Sequence, residues 1–345
     1  MTIFGEDPKL VEYRKQCREF LKPSENLLIE ERLRNLQSVY NHLLLNEYPQ
    51  ADGIISRIND YWDILVHCVE LYRRGLSVDA IDYMYNELVD CQEALFFDNI
   101  HGGLPLYRMR YSENGQLFAK SEMFHVPYHL RHILGNERFS IVGVPCLYLA
   151  GSTYTCWEEL MCKNFDNCNI SSFRVDKARK VVKLEPIWNH YDSDRVIATP
   201  LALACFLEVS HKNGKYKEEY IIPQLLMQCL LKYNLNHDED PIEGIAYLSS
   251  KVFNETLLFD DAHVRKDRYF NYVFPALLPY NEQGLSLHLL EIFQYSSPET
   301  YGRLRLKYPN GDNKERKSLD RYDHSAFAFM ESKCEFMRIA KTTTI

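Results

Sequence analysis

Apolar residues recur at three- and four-residue spacing through the first hundred positions, the stripe of amphipathic helices. Ile29, Leu33, Leu36, Tyr40 and Leu43 fall on one face of a first helix. Ile54, Ile58, Trp62, Leu65 and Val69 do the same across a helix from about Asp52 to Arg74, and Gly75 supplies a left-handed stop. Ser77 stands where an N-cap belongs for a third helix, with Ile81, Met84, Leu88, Cys91 and Leu95 directed inward. The segment His101-Gly-Gly-Leu-Pro105 then breaks the pattern and marks a boundary. Beyond it, short apolar runs at 106–110, 147–150, 181–184, 245–249, 272–274 and 287–293 read as strands alternating with helical pieces. This is an α+β pattern rather than a regular βαβ repeat. Pro145 fits only at the start of its strand, because it cannot donate to a ladder. From about Tyr308 the chain turns polar and then ends in a mixed amphipathic stretch, read as a loop and a docking helix with residues 342–345 loose. The predicted organisation is an N-terminal helical subdomain at 1–100, a mixed domain at 101–307 and a polar C-terminal extension at 308–345.

Charge and cysteine usage narrow the function classes. A chain of 345 residues is long enough for one large domain or two ordinary ones. A net charge of −8, with no basic stripe carrying interleaved aromatics, argues against a nucleic-acid binder. There is no apolar run of transmembrane length and no basic-then-apolar leader at Met1, so a soluble cytoplasmic protein without a membrane partner is expected. The ten cysteines are scattered, with no Cys-x-x-Cys pair, as suits buried thiols in a reducing compartment. Cys156, Cys162 and Cys168 recur at equal intervals but match no usual zinc spacing. His125, His129 and His132 have the spacing of a helical face, yet Pro127 opposes a helix through the first of them. No metal is expected, and His125 is assigned a structural or substrate-edge role. GxGxxG, GxxxxGK[ST] and Gly-x-Ser-x-Gly are all absent.

The densest chemistry lies between Arg138 and Glu159. An arginine, a tyrosine (Tyr148) and an acidic pair (Glu158, Glu159) surround one strand-to-helix unit. Such a set suits a substrate with phosphates, a flat base and a sugar whose bond must break. A guanidinium binds two phosphate oxygens through its planar fork, which favours Arg138 first and Arg108 second. Arg110 shares a strand face with Arg108. Tyr148 can stack on a flat ring and keep its hydroxyl as a handle. A carboxylate aimed at the sugar stabilises an oxocarbenium-like transition state. Glu158 and Glu159 project about 100° apart on a helix, so only one can face a cleft, and the count from Tyr148 favours Glu159. Ser249 can donate to ribose or phosphate, while its neighbour Ser250 faces the other way in a strand.

The block Arg138-Phe-Ser-x-x-Gly-x-Pro-x-Leu-Tyr148-Leu-Ala-x-Ser152, followed by Glu159, resembles the RES domain, named for its arginine, glutamate and serine. Flanking fragments fit larger members of that family. Upstream are Leu106-Tyr-Arg108-x-Arg110, Met123-Phe-His-x-Pro127 and Arg131. Downstream are Glu219-Tyr-Ile-Ile-Pro-Gln224, Gly244-Ile-x-Tyr-x-Ser249 and Asn271-Tyr-Val-Phe-Pro275. The similarity runs from Leu106 to Pro275, leaving the N-terminal helices outside it. It implies a fold like the ADP-ribosyltransferases, a split, mostly antiparallel sheet around a nucleotide cleft, so that 101–307 becomes a RES-like catalytic domain. It implies consumption of NAD by hydrolysis or phosphorolysis of the nicotinamide–ribose bond, with NAD as substrate and no cofactor. Carried over, the catalytic set is Glu159, Tyr148 and Arg138, and the NAD-binding set is Arg138, Tyr148, Ser249, Arg108 and Asn271. Many members are bacterial toxins held by an antitoxin, which implies a toxin or defence role and an antitoxin or regulatory partner, with the N-terminal helices as its candidate surface. Two alternatives stand beside this reading: transfer of ADP-ribose to a macromolecular acceptor, and a non-catalytic nucleotide-binding or interaction module.

Overall fold

A computed structural model of the chain describes residues 8–24, 26–47, 52–186, 196–253, 266–309 and 322–342. Helices open it as the apolar stripes require: α1 (Pro8–Leu21), α2 (Ile29–Glu47), α3 (Asp52–Arg73) and α4 (Ser77–Met84). Ile29, Leu33, Leu36, Tyr40 and Leu43 are buried along α2, and Ile58, Trp62, Leu65 and Val69 along α3. Gly75 ends α3 at φ +82°. The third helix departs from expectation twice. Ser77 is its first helical residue, Leu76 holds the cap position, and no side chain caps it. The helix also loosens into a π turn at Tyr85–Val89. That wider turn shifts the inward face, burying Tyr85, Leu88 and Val89 and leaving Cys91 exposed.

The remaining elements are β1 (Phe97–Ile100), β2 (Leu106–Tyr111), β3 (Cys146–Ala150), α5 (Thr153–Glu159), β4 (Cys168–Val175), β5 (Arg179–Leu184), α6 (Thr199–Phe206), α7 (Ile221–Asn236), β6 (Gly244–Leu248), α8 (Ser250–Phe253), β7 (Phe270–Pro275), α9 (Leu287–Ile292), β8 (Phe293–Tyr295), β9 (Glu299–Thr300), α10 (Tyr301–Lys307) and α11 (Ala326–Thr342). The predicted strands at 106–110, 147–150, 181–184, 245–249 and 272–274 are present as β2, β3, β5, β6 and β7. The run at 287–293 is not a strand: it folds as α9, and pairing begins only at Phe293. A short apolar run carries no period that separates a buried strand from a buried helix. Among the described residues no helix is long and apolar enough to cross a membrane.

The chain forms two compact units. The first comprises Met1–Asp98, Gly135–Val142 and Lys180–Ile245; the second comprises Asn99–Leu134, Gly143–Arg179 and Ala246–Ile345. The first crossing falls between Asp98 and Asn99, just ahead of the loop predicted as a boundary.

In the first unit the N-terminal helices share a core with α6, buried along its whole length, and with the apolar face of α7. Arg32 on α2 is 3% exposed. Its Nη1 donates to Glu219 Oε1 at 2.8 Å, and its Nη2 donates to the carbonyls of Leu21, Lys22 and Glu208. A guanidinium taken this far from water needs such partners, which Nη1 and Nη2 have.

The second unit is built on antiparallel strands in the order β7-β3-β2-β4-β8, with β9 also on β4. Tyr107 pairs with Ala150, Ala150 with Asn271, and Tyr148 with Val273. One face of this sheet carries Tyr107, Met109, Ala150 and Ile170, packed with Cys156, Leu304, Phe329, Met330 and Cys334. The last three lie on α11, so the C-terminal helix docks through core residues. The polar run at 310–321 and residues 343–345 lie outside the described residues. β4 went unpredicted because its interior is polar. Asn169 is buried and accepts from the Phe118 amide while donating to the Gln116 carbonyl, both at 3.0 Å. The Ser171 and Ser172 hydroxyls are buried with no hydrogen-bond partner among the described residues.

Candidate functional site

The site begins with the seating of α5. Gly151 follows β3 directly, and a Cβ built there would stand 1.8 Å from the Asp267 carbonyl oxygen. Only glycine admits that approach. The Gly151 amide donates to the Phe270 carbonyl at 2.8 Å. Ser152 caps α5, its hydroxyl accepting from the Thr155 amide at 3.1 Å. The hydroxyls of Ser152 and Thr155 both donate to the Arg268 carbonyl, at 2.7 and 2.6 Å. The start of α5 is thus fastened to the segment that leads into β7.

The far end of α5 presents Glu159, which is exposed. Its Oε1 accepts from the Ser249 hydroxyl at 2.7 Å and from the Asn271 Nδ2 at 2.6 Å. Both donors are buried, at 0% and 5% exposure. Ser249 follows β6, with its amide donating to the Tyr269 carbonyl, and Asn271 is the second residue of β7. Oε2 makes no hydrogen bond among the described residues. The result is an exposed residue whose carboxylate has one oxygen held by two buried donors and the other without a hydrogen bond among the described residues. Of each neighbouring pair, Glu159 rather than Glu158 joins this group, and Ser249 rather than Ser250.

Tyr148 is half-buried, two residues before Ala150 on β3. The pairing of Ala150 with Asn271 therefore places Tyr148 on the sheet face that carries Asn271. Arg108 follows Tyr107 and pairs with Ser171, so alternation sends it to the opposite face, which it shares with Arg110. Its Nη1 donates to the Tyr148 backbone carbonyl at 3.1 Å, and its Nε is buried with no hydrogen-bond partner among the described residues. Burial and the charge of Arg110 push the Arg108 guanidinium down to about 10, so it remains a cation at neutral pH.

His125 is 1% exposed. Its Nε2 accepts from the Ser286 amide at 2.9 Å, and its Nδ1 lies 2.8 Å from the Val126 carbonyl. Those partners fix the neutral ring with the proton on Nδ1. Burial, helped by the nearby charge of Arg108, pushes its pKa down to about 4 despite the bond to Val126. Of the two roles expected for His125, the structural one fits. His129 and His132 are exposed on a 3-10 turn. Among the described residues no group of three or more His, Cys, Asp or Glu side chains is placed to hold a metal ion. None of the ten cysteines is in a disulfide.

Arg138 belongs to the first unit, whereas Arg108, Tyr148, Glu159, Ser249 and Asn271 belong to the second. Its Nη1 donates to the carbonyls of Cys205 and Leu207, at 2.6 and 2.9 Å, and its guanidinium lies 5.1 Å from the centre of the Tyr220 ring. The first of these carbonyls is in the last turn of α6, where a cation is favourable. Gln224 donates to Asn136 and to the Glu137 carbonyl, holding the same loop.

Sequence reasoning missed the groups behind α5. The Thr153 amide and hydroxyl both donate to Glu331 Oε1 of α11, at 2.8 and 3.1 Å, and the Tyr322 hydroxyl donates to the same oxygen at 2.5 Å. No local pattern relates residues so far apart in the chain. The one available signal was Gly151, a glycine between a strand and a capping serine.

No family model and no solved structure matches the chain. In an alignment of 284 positions that covers 74% of its length, the chain is 29% identical to a protein of Bacillus subtilis (strain 168) named "Putative toxin YopC". The match covers 62% of that protein, so the chain spans about three fifths of the length of this curated relative.

Proposed function

We propose that this protein cleaves NAD between nicotinamide and ribose, as a glycohydrolase or phosphorylase, and that it acts as a toxin. The observation that carries the reading is the exposed Glu159 carboxylate, anchored through one oxygen by buried Ser249 and Asn271. In NAD the nicotinamide is a pyridinium. When the bond from C1 of the ribose to that nitrogen breaks, the electron pair stays on nitrogen and nicotinamide leaves neutral. No proton has to reach the leaving group, so the second carboxylate of an ordinary glycosidase is unnecessary. What remains is positive charge on the ribose, which Glu159 Oε2 stabilises, and an oxygen that closes on C1, from phosphate or from a water that releases its proton to solvent.

The anchoring supports this role. A carboxylate free to rotate would reorganise as charge develops, whereas one fixed beforehand does not. Tyr148, on the face that carries Asn271, supplies a flat surface for the nicotinamide ring. The named relative supports the toxin role.

The test is incubation of purified protein with NAD, with and without phosphate, followed by chromatography of the products. Free ADP-ribose identifies water as acceptor, its 1-phosphate identifies phosphate, and ADP-ribose on a macromolecule identifies a transferase. Glu159→Gln keeps the shape and removes the charge. It should lower kcat by about 10²- to 10³-fold, the typical loss for one such stabilising group. Tight NAD binding without nicotinamide release, or wild-type turnover by Glu159→Gln, overturns the reading.

A further inference from the structure

Glu159 stands at the end of a helix only seven residues long. Isolated helices of that length do not hold their own shape in water. The chain after it closes the helix locally: Met161 and Cys162 turn at φ +56° and +55°, and their amides donate to the Glu158 and Trp157 carbonyls at 2.9 and 3.1 Å. Those bonds are local, whereas the beginning of α5 is tied to distant chain.

Two pieces of chain meet there. One is the Asp267–Phe270 segment described above. The other is the C-terminal stretch from Tyr322 through α11. Glu331 Oε1 gathers three donors: the Thr153 amide, the Thr153 hydroxyl and the Tyr322 hydroxyl. The Thr153 hydroxyl also lies 3.2 Å from the Phe327 carbonyl, as a second acceptor. Tyr322 is fully buried, and the Arg268 guanidinium lies 4.1 Å from the centre of its ring. Arg268 also pairs with Asp323 at 3.3 Å. Its backbone carbonyl accepts from Ser152 and Thr155. The two clamps thus share Arg268, and β7 carries Asn271 three residues further on. Phe327 packs against Tyr154 and Trp157 on α5 itself.

We propose that the C-terminal segment is a positioning element for the reactive carboxylate, with Glu331 and Tyr322 as positioning residues that set the angle of α5 and so hold Glu159 on Ser249 and Asn271. The inference rests on the NAD-cleaving role of Glu159. It adds that the carboxylate is usable only while α11 is docked on Thr153. Glu331 touches no substrate in this account. It acts as a three-donor acceptor behind the helix.

Three variants of the full chain test this: Glu331→Ala removes the acceptor, Glu331→Gln keeps an acceptor oxygen, and Tyr322→Phe removes one donor but keeps the ring under Arg268. Two readouts are needed, hydrogen–deuterium exchange of the α5 amides and steady-state NAD turnover. Glu331→Ala should raise α5 exchange at least tenfold while the first unit keeps its protection. It should lower kcat at least tenfold with KM within about twofold, and Glu331→Gln should restore both to within about threefold. Tyr322→Phe should fall between parent and Glu331→Ala, and it decides the matter if the alanine variant does not fold. Unchanged α5 exchange in Glu331→Ala overturns the proposal. So does a loss of protection spread evenly through the second unit with kcat intact, or a glutamine variant as damaged as the alanine. A parent that releases no nicotinamide overturns the NAD reading instead, and the exchange of α5 then still decides whether α11 positions it.

Discussion

Replacing Gly151 by alanine tests the seating of α5 most directly. The new Cβ would stand 1.8 Å from the Asp267 carbonyl oxygen, 2.8 Å from its carbonyl carbon and 3.2 Å from the Arg268 Cα. Side-chain Cβ atoms essentially never come within 3.0 Å of another heavy atom, so the two backbones must part by roughly 1.2 Å, the gap between 1.8 and 3.0 Å. All three atoms are backbone, so no rotamer change relieves the clash. The bonds across this contact are 2.8 Å from the Gly151 amide to Phe270, and 2.7 and 2.6 Å from the Ser152 and Thr155 hydroxyls to Arg268. Parting of that size carries all three beyond hydrogen-bonding distance. Each is worth about 1 kcal/mol net, and overpacking strain adds about 1–3 kcal/mol, for a loss of roughly 4–6 kcal/mol. The assay is urea unfolding followed by a probe in the second unit. Gly103→Ala serves as the control, because nothing lies within 4 Å of a Cβ there. Gly103→Ala should unfold within about 1 kcal/mol of the parent. A Gly151→Ala protein as stable as that control would refute the reasoning.

Three further outcomes are expected. Asn271→Ala and Ser249→Ala act on one oxygen of Glu159, so in NAD turnover the double variant should lose less than the product of the single losses; independent effects would show that the two donors do not share a function. His125 has a folded pKa of about 4 against 6.5 for the free ring, so the unfolded chain binds more protons between those values. Its contribution is complete above about pH 6.5 and is lost as pH falls toward 4, up to about 3 kcal/mol. Urea midpoints at pH 7.5 and 5.0 should therefore converge in His125→Gln, and an unchanged gap would show that other groups dominate. Arg32→Ala strands the buried Glu219 carboxylate and should cost about 3–5 kcal/mol in the first unit, read as a lowered thermal midpoint; restoration by Arg32→Ala with Glu219→Ala identifies the unpaired charge as the cause.

Much of this architecture was legible in the residues. The stripes of α2 and α3 and the glycine stop at Gly75 follow from periodicity and φ preference alone, because each is local. Strands β2, β3 and β7 were legible because their apolar runs are bounded by loop residues. β4 was not, because Asn169, Ser171 and Ser172 read as surface, and only the amide and carbonyl brought by residues 116–118 make Asn169 tolerable inside. Cys91 was misplaced because a π turn adds a residue that no apolar period announces. In the candidate site, Glu159, Ser249 and Asn271 could be named one by one, but their meeting on a single oxygen depends on pairings between strands far apart in the chain. Glu331 and Tyr322 carry no local signature, since their value lies wholly in what the fold sets beside Thr153.

The order in which the second unit is written along the chain has a consequence for synthesis. Glu159 is translated first, Ser249 and Asn271 follow about a hundred residues later, and Glu331 comes 60 residues after Asn271. Chains fold as they emerge, from the N-terminus onward. A ribosome partway through this message therefore carries the Glu159 carboxylate with neither of its two donors nor the acceptor behind its helix. The parts of the site therefore come together only after the codon for Glu331 has been read.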